Sequence, residues 1–543
     1  MVRQPGIKDI SELSDQLVEL DPKELMPLPY PYDDRDTQAD LKKLTEAQRQ
    51  RLEASLDGFT ALQLTIPKTK EEEDEFVRQF VTGVGKLLSE DDNWAFLGPL
   101  MLRLDYCAKC QSCAEACQVF VGSGRQEIYR PNYRSELLRR IIKKYYSPGG
   151  KLLAKFNGAD IDVNYKTVAR LAELAYRCTL CRRCAAACPI GVGNAMITRE
   201  IRNVFSQEMG IAPTELHKGG TVKHLATGSS TGMTPAAFAD LVEFMEDEVE
   251  EKTGMRFKWP IDKKGADILL IHNAGEFMAW PENPEAFAIL FEKAGVNYTL
   301  SSELLGYDAV NYGLWYDDVQ FAKVALKHIA VAKKLGVKKI IIGECGHAHK
   351  AITVVADRIL AGDNQIPRES SYTFLADLVE RGLFKLDPSR NNFPTTLHDP
   401  CNVVRLMGIV DPQRRVVRAV TPPGSFREMT PHGVENYCCG GGSGFAIMNA
   451  LNFPDWRNAV SGRMKFKQIL EAFGPELAPD VLDPSQPKYV VAPCSNCKGQ
   501  MRGTFEYFDA TAKTGIRYTG MVELIVNAMT DFEKPFLNPE EEF

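Results

Sequence analysis

The chain has 543 residues, 44% of them apolar, and a formal net charge of -7. That length suits about three domains of ordinary size. No run of about eighteen uncharged apolar residues is present to span a bilayer, and the acidic balance gives no reason to expect nucleic acid as a partner.

Residues 1–95 contain no cysteine. Met26-Pro27-Leu28-Pro29-Tyr30-Pro31-Tyr32 reads as an extended arm lying on another surface, because proline blocks both helix and central strand. Two charge-dense helical patterns follow, near 37–57 and 70–89. They are expected to form a solvated helix pair covering the next domain and to contact a partner, with no catalytic part.

Thirteen of the fourteen cysteines then fall into three groups: Cys107, Cys110, Cys113 and Cys117; Cys178, Cys181, Cys184 and Cys188; and Cys401, Cys438, Cys439, Cys494 and Cys497. Cys345 stands apart. The first two groups share the spacing C-x2-C-x2-C-x3-C, the run that holds cubane [4Fe-4S] clusters in bacterial ferredoxins. In that arrangement the fourth cysteine serves the other cluster. Cys107, Cys110, Cys113 and Cys188 are expected to hold one cubane, and Cys178, Cys181, Cys184 and Cys117 the second. Pro189 follows the second motif as in the ferredoxin pattern, and Gln118 replaces it after the first. A disulfide framework fits poorly with a long chain that shows no signal peptide, and zinc knuckles are spaced differently. So many free thiols point to a reducing, cytoplasmic setting.

Between the two motifs, Arg130, Arg134, Arg139, Arg140, Lys143, Lys144, Lys151 and Lys155 lie in a helical pattern. This is either a solvated face or a docking surface for an acidic partner or membrane headgroups. Its periodicity predicts an α-helical ferredoxin domain. From about 212 to 265 a bridge is expected: Thr227-Gly228-Ser229-Ser230-Thr231-Gly232 as a flexible polar stretch, then a helix with Thr234 as N-cap, Pro235 at its first position and Gly254 just past its end.

After Gly265, apolar strands alternate with amphipathic helices, an α/β pattern, and the region repeats itself. Leu270-Ile271-His272-Asn273-Ala274-Gly275 aligns with Thr396-Leu397-His398-Asp399-Pro400-Cys401, an offset of 126. Asn311-Tyr312-Gly313-Leu314 aligns with Asn436-Tyr437-Cys438-Cys439, an offset of 125. The strand ending at Cys345 aligns with the one ending at Cys494, offset by 149, so the second copy has an insertion between about 445 and 487. The first copy lacks counterparts of Cys401, Cys438, Cys439 and Cys497. Two such units across a pseudo-twofold axis would enclose one metal centre rather than two.

The motif Cys401, Cys438-Cys439-Gly440, Cys494-Ser495-Asn496-Cys497 resembles the cysteine-rich CCG domain of the heterodisulfide reductase family. The whole arrangement is similar to the D subunit of heterodisulfide reductase. Gly343-Glu344-Cys345-Gly346-His347, Leu386-Asp387-Pro388-Ser389-Arg390-Asn391 and His398-Asp399 resemble the K subunit of the sulfite-reduction-associated Dsr membrane complex. The likeness covers about 95–530; the longer spacer before Cys494 departs from the short heterodisulfide subunits. It implies an α+β multidomain protein: an arm and helices over 1–95, an α-helical ferredoxin with two [4Fe-4S] clusters over 96–211, a helical bridge over 212–264, a degenerate CCG half over 265–385, a complete CCG half over 386–530 and a tail over 531–543. In that family the five cysteines Cys401, Cys438, Cys439, Cys494 and Cys497 hold a noncubane [4Fe-4S] cluster that performs disulfide chemistry.

Reducing a disulfide takes two electrons delivered beside a sulfur that can leave as thiolate. The pair Cys438-Cys439 and the glycines that follow suit a centre approached by backbone and substrate. His398, three residues before Cys401, and His347 and His349, after Cys345, could each supply a proton to the leaving thiolate; His347, beside Cys345, is the better candidate, and His398 either does so or caps a strand, the preferred reading, since His272 holds its place in the first copy. Cys345 is either a relic or a residue at the cleft mouth.

The expected function is that of an iron–sulfur oxidoreductase subunit, peripheral to the inner face of the membrane through a respiratory complex. Electrons would come from a membrane cytochrome b-type or other donor subunit and reach a disulfide or trisulfide substrate, or a small thiol carrier such as DsrC. An alternative is the iron–sulfur subunit of a lactate, glycolate or glycerol-3-phosphate dehydrogenase relaying electrons to quinone. A third is a cluster-bearing scaffold without catalysis.

Overall fold

The computed structural model describes residues 6–12, 20, 24–32, 62–89, 91, 100–303, 306–448 and 456–537. The helical pattern at 37–57 lies outside them. The chain forms two compact units. The first comprises residues 1–217, 312–319 and 437–467, and the second comprises 218–311, 320–436 and 468–543.

The first unit is helical. Helix α1 (Lys70–Leu88) starts where the Thr69 hydroxyl accepts from Glu72 N, with Glu71, Glu72 and Glu73 in its first turn, where acidic side chains suit the helix dipole. It buries Val77, Phe80 and Val84, and Phe80 meets Phe205 at 5.2 Å between ring centroids. Helix α2 (Pro131–Tyr146) begins on a proline. Helix α3 (Tyr165–Tyr176) is capped by Asn164, and helix α4 (Asn194–Asn203) is buried all round. The proline-rich arm does lie on this unit: Met26 N donates to Gly122 O at 3.4 Å, and Arg463 Nε donates to Met26 O.

Only part of the basic spacer is a solvated face: Lys151 and Lys155 are exposed, and two of the arginines turn inward. Arg134 and Arg139 are buried in α2. Arg134 Nε donates to Thr198 Oγ1 at 3.1 Å, Arg139 Nε donates to Leu104 O at 2.9 Å, and Arg139 and Arg140 both pair with Glu136. A helix packed on two sides must turn some of its arginines inward, and these find carbonyls and a carboxylate there.

In the second unit, helix α5 (Pro235–Thr253) has the expected N-cap on Thr234 and left-handed Gly254 at its end. The polar stretch before it is anchored, contrary to expectation. Ser229 and Ser230 are buried, and the amide and hydroxyl of Ser230 donate to Asp308 Oδ2 at 2.7 and 2.8 Å. Two parallel four-stranded sheets follow: β1 (Ile268–Ile271), β2 (Tyr298–Thr299), β3 (Lys339–Ile342) and β4 (Arg368–Ser370) in the order β2-β1-β3-β4; β5 (Thr395–Leu397), β6 (Phe426–Arg427), β7 (Lys488–Val491) and β8 (Ile516–Thr519) in the order β6-β5-β7-β8. The orders are identical, as the repeat requires. Registers agree too: Leu270 pairs with Ile341 and Thr396 with Val490.

The helices extend the symmetry. Helix α6 (Glu282–Lys293) packs on α9 (Met521–Ala528), and α8 (Asp411–Val420), its counterpart in the second copy, packs on α7 (Ser371–Glu380), the counterpart of α9. One hydrophobic core runs through both copies, with Leu270, Ile341, Phe287 and Leu375 from the first and Leu397, Val491, Val416 and Ile525 from the second. Two half-sheets that each leave one face apolar thus bury those faces together.

Candidate functional site

In the first unit the two ferredoxin motifs form the same loop twice. Gln111 and Arg182, 71 residues apart like Cys107 and Cys178, both sit at φ 64° and ψ 9° ahead of the one-turn helices Ser112–Glu115 and Arg183–Ala186. Lys109 and Leu180 are also left-handed. Matching hydrogen bonds close the loops: Ala114 N to Gln111 O at 2.8 Å and Ala185 N to Arg182 O at 2.9 Å. Left-handed non-glycine residues cost about 1 kcal/mol each and persist where the surroundings dictate them.

Thiols of the two motifs crowd together. Cys117 has Cys181 and Cys178 as charged neighbours, and Cys184 has Cys181, Cys178 and Cys117. Burial pushes the Cys117 thiol up to about 12 and Cys113 to about 11. Burial and neighbouring thiols disfavour ionisation of Cys117 and Cys184, and a shared iron–sulfide core removes that penalty while displacing the protons. The donor set fits a cubane.

The adjacent pair Cys438 and Cys439 is buried in this same unit. Gly440 N donates to Cys438 Sγ at 3.4 Å, and Ser461 Oγ to Gly440 O at 2.8 Å. Gly440 has φ +101°, and a Cβ there would lie 2.6 Å from Gly462 Cα, so only glycine makes this turn. Further along, a Cβ on Gly442 would lie 2.9 Å from Thr179 O. Buried Arg202 joins the two segments, donating to Cys178 O at 2.7 Å and to Ser443. The Cys438-Cys439 segment therefore leans on the second ferredoxin loop.

The other cysteines of the third group belong to the second unit, with Cys345. Cys345 follows β3 and Cys494 follows β7, so the pseudo-twofold relates them, and they touch. The amide of Gly346 donates to Cys494 Sγ at 3.2 Å and Ser495 N to Glu344 O at 2.8 Å. A Cβ on Gly346 would meet Cys494 Sγ at 3.3 Å and Pro400 Cβ at 3.4 Å, which brings the Cys401 loop to the same place. Hydrogen bonds from Cys345 and Cys497 hold Cys494 well below the usual thiol range, while the bond to Cys494 and burial push Cys345 well above it. A ring nitrogen of His398 and the Cys497 sulfur lie within 4.8 Å of each other.

Known proteins match this layout. The 4Fe-4S dicluster domain family matches residues 103–192 and the cysteine-rich CCG domain family matches 395–502. The chain is 28% identical over 478 residues, 80% of its length and 81% of the relative's, to the Hdr-like menaquinol oxidoreductase iron-sulfur subunit 2 of Archaeoglobus fulgidus. It is 26% identical over 475 residues to the Hdr-like menaquinol oxidoreductase iron-sulfur subunit of Archaeoglobus profundus, covering 80% of this chain and 81% of that one. With the D subunit of dihydromethanophenazine:CoB--CoM heterodisulfide reductase from Methanosarcina mazei the identity is 25% over 354 residues, 63% of this chain and 79% of the relative. The chain is a CCG-domain iron–sulfur protein like the D subunit of heterodisulfide reductase. It is accordingly an electron-transfer subunit of the Hdr-like oxidoreductase type. Among the described residues no helix is long and apolar enough to cross a membrane.

In this CCG protein the histidines part company. His272 Nδ1 binds Glu276 at 2.8 Å and packs on Phe277 and Phe287, a purely structural setting. The counterpart of Glu276 in the second copy is near Asn402, so His398 lacks that carboxylate and faces Cys497 instead. Burial pushes His347 down to about 4, so it is neutral near pH 7 and does not hold a proton in reserve as imidazolium.

Four supports of the site had no role assigned from the sequence. Arg202 is one. Asp399, two residues before Cys401, accepts from both Arg414 nitrogens at 2.8 and 2.6 Å and from Gly433 N at 2.6 Å, and its carbonyl accepts from Asn436 Nδ2 at 3.2 Å, two residues before Cys438. Lys498, next to Cys497, is buried in an ion pair with Glu523, while Glu344, next to Cys345, accepts from Met521 N at 3.1 Å and Val522 N at 3.0 Å. Lys498 and Glu344 were signalled by standing next to cysteines and Asp399 by the His398-Asp399 motif, whereas nothing local marked Arg202.

Proposed function

We propose that this protein carries electrons through two [4Fe-4S] cubanes to a noncubane [4Fe-4S] centre at Cys401, Cys438, Cys439, Cys494 and Cys497, where a disulfide or trisulfide of a thiol substrate or small carrier protein is reduced or formed. The cubanes are assigned to Cys107, Cys110, Cys113 and Cys188, and to Cys178, Cys181, Cys184 and Cys117. The carrying observation is the seating of the Cys438-Cys439 segment on the second ferredoxin loop through Thr179, Cys178 and Arg202. Protein-held clusters relay electrons between such neighbouring loops, and a buried guanidinium beside one raises its potential. The relatives' names, with menaquinol in one and dihydromethanophenazine in the other, point to a small reduced electron carrier of that kind as the other end of the chain, with partner subunits between.

Reduction of one disulfide consumes two electrons and two protons and yields two thiols. When bound, the centre supplies electrons one at a time next to sulfur. The chain's own residues do the rest: Cys345 hydrogen-bonds Cys494, the glycines from Gly440 open the approach, and His398 stands by Cys497.

Purified protein is expected to contain about twelve irons, four per cluster, and the oxidised form should give a new paramagnetic signal on adding the thiol substrate. Cys439→Ser should leave about eight irons, reducible cubanes and no disulfide turnover. Retention of twelve irons and the thiol-dependent signal in that variant would refute the assignment.

A further inference from the structure

Helix α2 ends at Tyr146, and the chain then makes a tight turn that none of the cluster chemistry uses. Leu152 is 87% exposed and Phe156 89% exposed, with Leu153 at 48%. Lys151 and Lys155, also exposed, alternate with them, and residues 147–159 contain no Asp or Glu. The backbone here is fixed: Leu153 N donates to Gly149 O at 2.9 Å, Asn157 N to Leu153 O at 2.9 Å and Ala159 N to Ala154 O at 3.0 Å. The turn is built, and its largest apolar side chains point into water.

We infer that residues 151–156 dock the ferredoxin unit directly on an anionic lipid surface, with Leu152, Leu153 and Phe156 entering the headgroup–acyl boundary and Lys151 and Lys155 meeting lipid phosphates. Apolar tips interleaved with lysines are what an interfacial anchor needs: the apolar groups leave water while the ammonium groups stay at the depth of the phosphates. A protein-binding hot spot has a different form, an apolar centre ringed by contacts over about 800 Å² on each partner. Here cations separate the apolar tips on a short projecting turn. This contact is additional to partner subunits and does not depend on which cysteines hold which cluster.

The test is flotation of the intact holoprotein with vesicles of equal parts phosphatidylcholine and phosphatidylglycerol. The protein should float with them and stay behind with pure phosphatidylcholine. Leu152→Ser and Phe156→Ser should each weaken binding about tenfold, and Lys151→Glu and Lys155→Glu about fivefold or more, all with unchanged iron content. Failure of the natural chain to float would overturn the inference. So would flotation of a Leu152→Ser/Phe156→Ser double variant like the natural chain, or a double variant that keeps vesicle binding while losing co-purification with a partner subunit.

Discussion

Replacing Arg414 with leucine should damage the CCG half more than any surface charge change. Asp399 is almost fully enclosed, and its carboxylate has three short donors, two from Arg414 and one from the Gly433 amide. Burial alone would raise its proton affinity; the Arg414 bonds outweigh that and hold it below the usual carboxylate range. Arg414→Leu strands an ionised carboxylate with the Gly433 amide as its one remaining short donor, a cost of about 3–5 kcal/mol. Asp399→Asn is milder, about 1.5–3 kcal/mol, because Arg414 keeps Glu428 at 3.0 Å. Asp399 holds the start of the Cys401 loop and the turn at Gly433, and its carbonyl holds Asn436 ahead of Cys438. Iron content should therefore fall from about twelve toward about eight while the cubanes survive. The assay is equilibrium urea unfolding with iron analysis. Because the folded-state pKa of Asp399 is lowered, its contribution is complete above the unfolded value near 3.9 and is lost as pH falls through the folded one. The natural and variant curves should converge in acid. A stability change under about 1 kcal/mol at pH 7 with full iron would refute the reasoning.

Removing the Cys345 thiol with alanine should leave iron content unchanged but make the potential of the noncubane centre more negative by about 40 mV, the equivalent of one hydrogen bond of about 1 kcal/mol; serine should restore it, and equal potentials in all three proteins would dismiss the bond to Cys494. His328, pushed down to about 4 by burial with Nε2 on the Asp308 carbonyl at 2.8 Å, binds fewer protons folded than unfolded. Its share of stability, at most about 3 kcal/mol, is complete above pH 6.5 and disappears toward pH 4. Urea unfolding at several pH values should show a shallower acid slope in His328→Gln, and an unaltered slope would count against it. Arg139→Glu should destabilise the fold by about 3–5 kcal/mol in the same measurement, since the side chain is buried on Glu136 and Leu104 O. Lys155→Glu, at the exposed turn, should change it by less than about 0.5 kcal/mol.

Much of this architecture was legible because short apolar runs ending in cysteine or histidine recur at nearly fixed offsets, and the two sheets repeat those offsets strand for strand. Local chemistry also announced the α5 caps, where Thr234, Pro235 and Gly254 act within one turn of their own residue. What stayed hidden depends on distant partners. Ser229 and Ser230 read as flexible linker until Asp308 satisfies them, and Arg134 and Arg139 read as surface until α2 acquires neighbours on two sides. The unit boundary was hidden as well. It falls after Asn311 and after Asn436, the aligned pair of the repeat, so each copy sends the same loop away from its own sheet. Only in the second does that loop carry cysteines. Cys345 follows from the same symmetry. Strand ends β3 and β7 are mates across the axis and the loops after them meet there: Cys345 lies against its counterpart Cys494, and the next amide, Gly346 N, donates to Cys494 Sγ at 3.2 Å. Cys345, at the axis, touches Cys494 from the first copy's side, and deleting it would strip a hydrogen bond from the second copy.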